Sequence, residues 1–228
     1  MRPIINLDHV SFTFPNTATP LFDNLSLAFA PCMLHRIVGD NGSGKSTLMR
    51  LLVGQIYPQE QVTGRIVRNG TIRLVVQRYD HMLAPSFSVE QNLAFALLER
   101  YPSPFRRLST KFTPEIAELL HSFAIPTQIP VGKLSGGQRQ MLVIALALAQ
   151  PTDVLLLDEP TAAFDIHHAA KLFSFLQYLI DTQGLTIIVI CHQREYQQLN
   201  QLGSCVQIIS TPESYTRTVV QTIFTQTG

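Results

Sequence analysis

Gly39, Gly44, Lys45 and Ser46 stand in the spacing G-x-x-x-x-G-K-S within "IVGDNGSGKSTLMRLLVG". Small residues let successive backbone N–H groups turn inward as an anion-binding nest, and the start of a helix adds its own unsatisfied donors. Phosphate is the anion that fits. The spacing predicts that the stretch from Gly39 through Asn41, Gly42, Ser43, Gly44 and Lys45 to Ser46 and Thr47 wraps a polyphosphate. Lys45 is expected at the β- and γ-phosphates, and the Ser46 hydroxyl on Mg²⁺. A second set lies in "VLLLDEP", where Asp158 and Glu159 leave the carboxyl end of an apolar run. Ligands of open α/β sheets bind at that end. The first carboxylate suits a hydrated metal ion, and the second suits an attacking water. A third set is "KLSGGQRQ", in which Ser135, Gly136, Gly137 and Gln138 precede a long apolar helix and offer another anion-binding terminus.

These groups need elements to position them. "IINLDHVSFTF" and "LFDNLSLAFA" read as strands separated by the turn-rich "PNTATP". "HRIVG" is a short strand leading into the phosphate loop, and "KSTLMRLLVG" has helical spacing with Gly54 as its stop. "GRIVRNGTIRLVVQ" predicts two strands joined by a tight turn at Asn69-Gly70. Helix then dominates from about Tyr79 to Gln150. Ser88 and Gln91 form a capping box, Thr113-Pro114 opens a second helix, and "QRQMLVIALALAQ" a third that Pro151 ends. Between the first two lies "RYPSPFRRLSTK", read as a solvated basic loop. Beyond Pro151, strands and helices alternate: "DVLLLD", "IHHAAKLFSFLQYLID", "LTIIVICH" and "SCVQIIS". Unalternating apolar runs suit strands of a parallel sheet buried on both faces. The fold expected is α/β, a core from 1–78 and 151–228 with a mostly helical part from 79–150.

Composition narrows the function. The chain has 228 residues, 46% of them apolar and 14% charged, with a net charge of +1. That is enough for a folded domain, and it offers no basic stripe for nucleic acid. Cys32, Cys191 and Cys205 are an odd set without metal-ligand spacing, which reads as reduced thiols in the cytosol. No basic-then-apolar segment opens the sequence, so no secretory signal is expected, and its apolar runs are too short to span a bilayer.

Taken together, the motifs and their order resemble the ATP-binding cassette (ABC) family, specifically a stand-alone nucleotide-binding subunit of a transporter. The resemblance implies a P-loop NTPase fold: a RecA-like core with a mostly parallel sheet, an N-terminal antiparallel β part and a helical subdomain carrying the LSGGQ signature. It also implies roles for further residues. Phe14 in "VSFTFP" resembles the aromatic that stacks on adenine, although Tyr is commoner there. Gln77 in "LVVQ" resembles the glutamine that reaches metal and water and links to the membrane partner. Asp165 in "AAFD" resembles the D-loop aspartate, preceded by Phe164 where the family usually has Leu. His192 in "IVICH" resembles the switch histidine on the γ-phosphate. His167 and His168 read as helix-surface residues.

The activity implied by the resemblance is that of an ATPase in which Glu159 orients or deprotonates water, with Gln77 and His192 aligning water and γ-phosphate. Mg²⁺ is held by Ser46 and Gln77, with Asp158 behind them. The signature residues act on a nucleotide bound by a second protomer, in a head-to-tail homodimer or pseudo-symmetric pair. An integral membrane permease is the expected partner, and the chain is expected to lie peripheral to the cytoplasmic membrane through it. "APSFSVEQNLAFA", with no extended segment before "KLSGGQ", resembles importer-type stand-alone cassettes, and among those the chain is similar to cassettes for the uptake of amino acids or other small solutes. The alternative is a soluble ABC clamp of DNA repair, chromosome structure or translation, but such proteins usually carry long coiled coils or two cassettes in one chain. A kinase or small GTPase would leave the signature string without a role.

Overall fold

Two sheets share the strands unequally. The computed structural model describes residues 2–77, 80–97, 112–162, 164–191, 204–210 and 214–223. In chain order the elements are β1 (Ile5–Thr13), β2 (Phe22–Phe29), β3 (Leu34–Gly39), α1 (Lys45–Val53), β4 (Gln61–Arg68) and β5 (Ile72–Val75). Then come α2 (Val89–Ala96), α3 (Pro114–Ser122), α4 (Gly136–Leu148), β6 (Val154–Asp158), α5 (Ile166–Gln183), β7 (Thr186–Ile190), β8 (Ser204–Ile209) and β9 (Thr218–Ile223). A three-stranded antiparallel sheet has the order β2-β1-β4, and a six-stranded sheet the order β5-β6-β7-β3-β8-β9. The latter is parallel from β5 to β8, with β9 antiparallel on its edge.

The tight turn expected at Asn69-Gly70 does not make a hairpin. β4 pairs with β1, whereas β5 pairs with β6, so the turn carries the chain from one sheet to the other. The crossing is fixed by contacts outside the turn. Asn69 Nδ2 donates to Pro3 O at 3.1 Å and Thr71 N–H donates to Asp153 Oδ2 at 2.6 Å. A side chain at position 70 would meet Asp153 Cβ at 2.8 Å.

The parallel strands separate two cores because successive side chains leave opposite faces. Val154 and Leu156 of β6 pack with α1 and the antiparallel sheet, while Leu155 and Leu157 pack with α2 to α5. In β7, Ile188 and Ile190 take the first side, Ile187 and Val189 the second. All eight are fully buried, which is why these runs show no polar alternation.

The helix signals read from the sequence are realised. Ser88 and Gln91 form the reciprocal capping box of α2, and Thr113 caps α3 with Pro114 in its first turn. Ser135 and Gln138 form a second box at α4, and Gln138 Nε2 also donates to Ala124 O at 2.9 Å, tying that start to the end of α3. β9 is a strand that the sequence does not announce; its alternately exposed "TVVQTI" gives little apolar signal.

Candidate nucleotide site

β3 delivers the chain to the phosphate loop at Gly39, and α1 begins at Lys45. Gly39 has φ 153°, and a Cβ there would lie 2.5 Å from Ile208 O on the neighbouring strand β8. Gly44, with φ 104°, caps α1 in the left-handed region and lies against Leu21 and Phe22. Only glycine accepts both the dihedral and the crowding at these two points. Lys45 Nζ donates to Gly39 O at 2.8 Å and Asp40 O at 3.0 Å, which holds a largely buried ammonium at the loop. Ser43 is fully buried, and its Oγ has no hydrogen-bond partner among the described residues.

Across β7, the end of β6 brings the acidic pair to the same place. Asp158 interacts with the Ser46 hydroxyl. Burial pushes its carboxyl above the ordinary range, opposed by that hydroxyl; the neighbouring Glu159 charge adds to the rise and Lys45 counters it. Glu159 occupies the left-handed region at φ 50°. It accepts a 2.8 Å hydrogen bond from Gln77 Nε2, just past the end of β5. Two residues 82 positions apart are thus joined directly.

A cavity of about 560 Å³ runs over this ground. Of the residues singled out in the sequence, it is lined by Phe14, Asn41, Gly42, Gly44, Lys45, Ser46, Thr47, Gln77 and Glu159. Phe14 is half-buried and meets Phe12 edge-on at 4.9 Å. Gly39 and Ser43 shape the loop without lining the cavity. The walls also include Leu21, Tyr215 and Arg217, which no motif in the sequence marks.

Both halves of a magnesium nucleotide fit these donors. The loop offers backbone N–H groups and an ammonium for phosphates. Among the described residues no group of three His, Cys, Asp or Glu side chains could hold a metal ion. The oxygens of Ser46, Gln77 and Asp158 are nevertheless hard donors of the kind Mg²⁺ takes beside phosphate oxygens.

The signature residues lie elsewhere. Ser135, Gly136, Gly137 and Gln138 line a separate cavity with Phe123, Phe164, Asp165 and His168. Ser135 Oγ accepts from Gln138 N–H at 3.2 Å, and Gly136 has open space where a Cβ would stand. Phe164 lies directly against Gly137 and stacks on Phe123 at 6.0 Å. Asp165 caps α5, accepting from the backbone of His167 and His168 and from His168 Nδ1 at 2.9 Å, which holds its carboxyl below the usual range. His167 and His168 are exposed, as a surface reading requires. His192 lies outside the described residues.

Comparison with known proteins decides the family. The family model described as ABC transporter matches residues 22–162. The chain belongs to the ABC transporter family. A methionine import ATP-binding protein, MetN 2 of Salmonella paratyphi A, is 36% identical over 194 residues, 78% of this chain and 55% of that protein. A putative ABC transporter ATP-binding protein of Onion yellows phytoplasma is 31% identical over 205 residues, 83% of this chain and 33% of its own length. The chain therefore spans between a third and about half of these curated relatives. Among solved structures, cbiO1 from Clostridium perfringens, part of the ABC transporter complex cbiONQ, superposes with a TM-score of 0.73 at 24% identity, covering 91% of this chain and 85% of cbiO1. The P-loop NTPase fold expected of an ABC ATPase cassette is the fold observed.

Proposed function

We propose that this chain binds and hydrolyses ATP to energise an ABC transporter, acting as a head-to-tail pair of cassettes. The observation that carries the reading is the 2.8 Å bond from Gln77 to Glu159 in the cavity that also holds Lys45 and Ser46. It places a carboxylate and an amide beside the phosphate loop, where a water must be aimed at a γ-phosphate. Phosphoryl transfer to water needs positioning and charge stabilisation rather than a covalent intermediate.

Lys45 supplies positive charge to the phosphates, and the loop's N–H groups cradle them. Glu159 orients the water and takes its proton, held in place by Gln77. Ser46 and Gln77 would hold Mg²⁺, with Asp158 behind Ser46; the ion supplies neutralisation of charge on the phosphates. His192 is assigned to the γ-phosphate. Phe14 stacks on the base.

Signature residues and phosphate loop line different cavities of one chain. A second copy related by a two-fold axis brings the signature of each to the phosphates of the other, giving two sites per pair. Asp165 would meet the partner at that junction.

A membrane permease is the proposed partner. Among the described residues no helix is long and apolar enough to cross a membrane. A groove of about 590 Å³ lies between β5, α2 and α4, with exposed Met82 and Phe95 among its walls. β5, which lines it, runs on to Gln77, so an occupant there would act on the side chain that holds Glu159. The likeness to methionine import ATP-binding proteins supports an importer of a small solute, with the chain on the cytoplasmic face.

The test is Glu159→Gln with Mg-ATP, followed by size-exclusion chromatography and phosphate release. The variant should accumulate as a dimer and turn over at least about a hundredfold more slowly. Wild-type turnover would remove Glu159 from its role, and a persistently monomeric nucleotide-bound variant would overturn the paired site.

A further inference from the structure

We propose that Tyr215 and Arg217 form a second wall of the nucleobase end of the cavity, far from the phosphate loop in sequence but joined to it in space. This rests on the nucleotide reading and concerns which base the site accepts. The cavity extends from Gln77 and Glu159 on one side of the loop to Phe14, Leu21, Tyr215 and Arg217 beyond it. A phosphate grip needs none of the last four. An apolar residue, two aromatic rings and a guanidinium are instead the chemistry that recognises a base.

Backbone stitching brings this wall in. Arg217 N–H donates to Leu21 O at 2.8 Å, and Thr216 Oγ1 donates to Pro20 O at 2.8 Å across 196 positions of sequence. On the Phe14 side, Thr17 Oγ1 donates to Phe14 O at 2.8 Å, folding the 14–20 turn back on itself. The turn carrying Tyr215 is thereby fixed to the stretch that follows Phe14. Without these bonds an exposed residue near the end of the sheet would have no reason to face the nucleotide.

The side chains are prepared in the same way. Arg217 Nη1 donates to Ser214 O at 3.1 Å and Tyr215 O at 2.9 Å. Its guanidinium lies 5.8 Å from the Tyr215 ring centre. Two carbonyls thus fix the cation, and the cation fixes the ring above it. Among the described residues no carboxylate pairs with Arg217, which lines the cavity beside Tyr215. Tyr215 is 43% exposed, which leaves ring surface for a base to cover. A purine offers more stacking area than a pyrimidine, so the wall favours ATP over CTP.

The test is calorimetric titration of the whole chain with Mg-ATP, Mg-CTP and inorganic tripolyphosphate. Tyr215→Ser should weaken ATP about five- to hundredfold, the range of one base–aromatic stack. It should narrow the ATP-to-CTP preference and leave tripolyphosphate unchanged. Tyr215→Phe keeps the ring and should keep the affinity. Arg217→Gln should weaken both nucleotides and spare tripolyphosphate. Lys45→Ala should weaken all three ligands. ATP affinity unchanged in Tyr215→Ser and Arg217→Gln, with Lys45→Ala still defective, would overturn the wall and leave the nucleotide site standing. A loss of tripolyphosphate binding in Arg217→Gln would also overturn it, because the cation would then serve phosphate. Unchanged binding in Lys45→Ala would instead defeat the underlying nucleotide reading.

Discussion

Gly137→Ala tests whether Phe164 fixes the start of α4. The added methyl would stand 2.7 Å from Phe164 Cε1 and 3.1 Å from Cδ1. Carbon atoms attract best at about 3.5–4.0 Å, so the ring must retreat by roughly 0.8 Å or more. Its neighbours oppose that: Phe123 stacks on it at 6.0 Å with a 24° tilt, and His168 flanks it at 6.1 Å. Overpacking of this kind costs about 1–3 kcal/mol. Replacing a helical glycine by alanine returns up to about 1 kcal/mol. The single variant should therefore lose about 0–3 kcal/mol. In a Phe164→Leu background the ring is gone, and the same change should be neutral or stabilising. Urea unfolding of the four proteins, followed by far-ultraviolet circular dichroism, gives the coupling directly. It should be about 1–3 kcal/mol. A coupling below about 0.5 kcal/mol, the level expected of independent sites, would show that the ring swings aside freely and holds nothing.

Gln77→Ala should slow hydrolysis about 10- to 100-fold by releasing Glu159, with a smaller loss of Mg-ATP affinity as one oxygen donor to the metal goes; equal loss in both, measured by phosphate release and titration, would contradict a positioning role. Glu60→Ala should cost about 1.5–3 kcal/mol, because it strips a bidentate partner from a part-buried Arg50. Their side chains are only 4% and 18% exposed, and a loss under about 1 kcal/mol in urea unfolding would place the pair with ordinary surface bridges instead. His35 is held below its ordinary value by burial, with Nε2 donating to Ala30 O at 2.8 Å and Nδ1 accepting from Ser204 Oγ at 2.6 Å. As pH falls below about 6.5 the unfolded chain takes up a proton that the folded one resists, so stability drops by up to about 1.4 kcal/mol per pH unit. His35→Gln should remove that part of the slope between about pH 7.5 and 5.5, the range spanning the unfolded value; parallel wild-type and variant curves would count against it.

The phosphate loop is legible in the sequence because its geometry is local: Gly39 to Thr47 meet one another within a single turn. Asp158 and Glu159 are legible for a similar reason, since a buried strand must end somewhere and its carboxyl end is where α/β ligands sit. The Asn69-Gly70 turn misleads because turn chemistry specifies a reversal without specifying which sheet receives the next strand. That choice belongs to Pro3 and Asp153, both distant in sequence. Tyr215 and Arg217 are invisible for the same reason. No spacing rule links them to Phe14, and it is bonds to Pro20 and Leu21 that bring them near. Phe164 stands out as a bulky departure, but nothing in the sequence says that its ring rests on Gly137 of the same chain.

The sheet order has a mechanical consequence. β3, which ends in the loop, and β6, which ends in the acidic pair, are kept apart by the single strand β7. Two rungs of main-chain pairing make that gap about 10 Å wide. Peptide geometry acts as the spacer, and it does not vary with side-chain identity. Conservative exchanges among Ile187 to Ile190 can soften the molecule while the jaws on either side stay at the same separation.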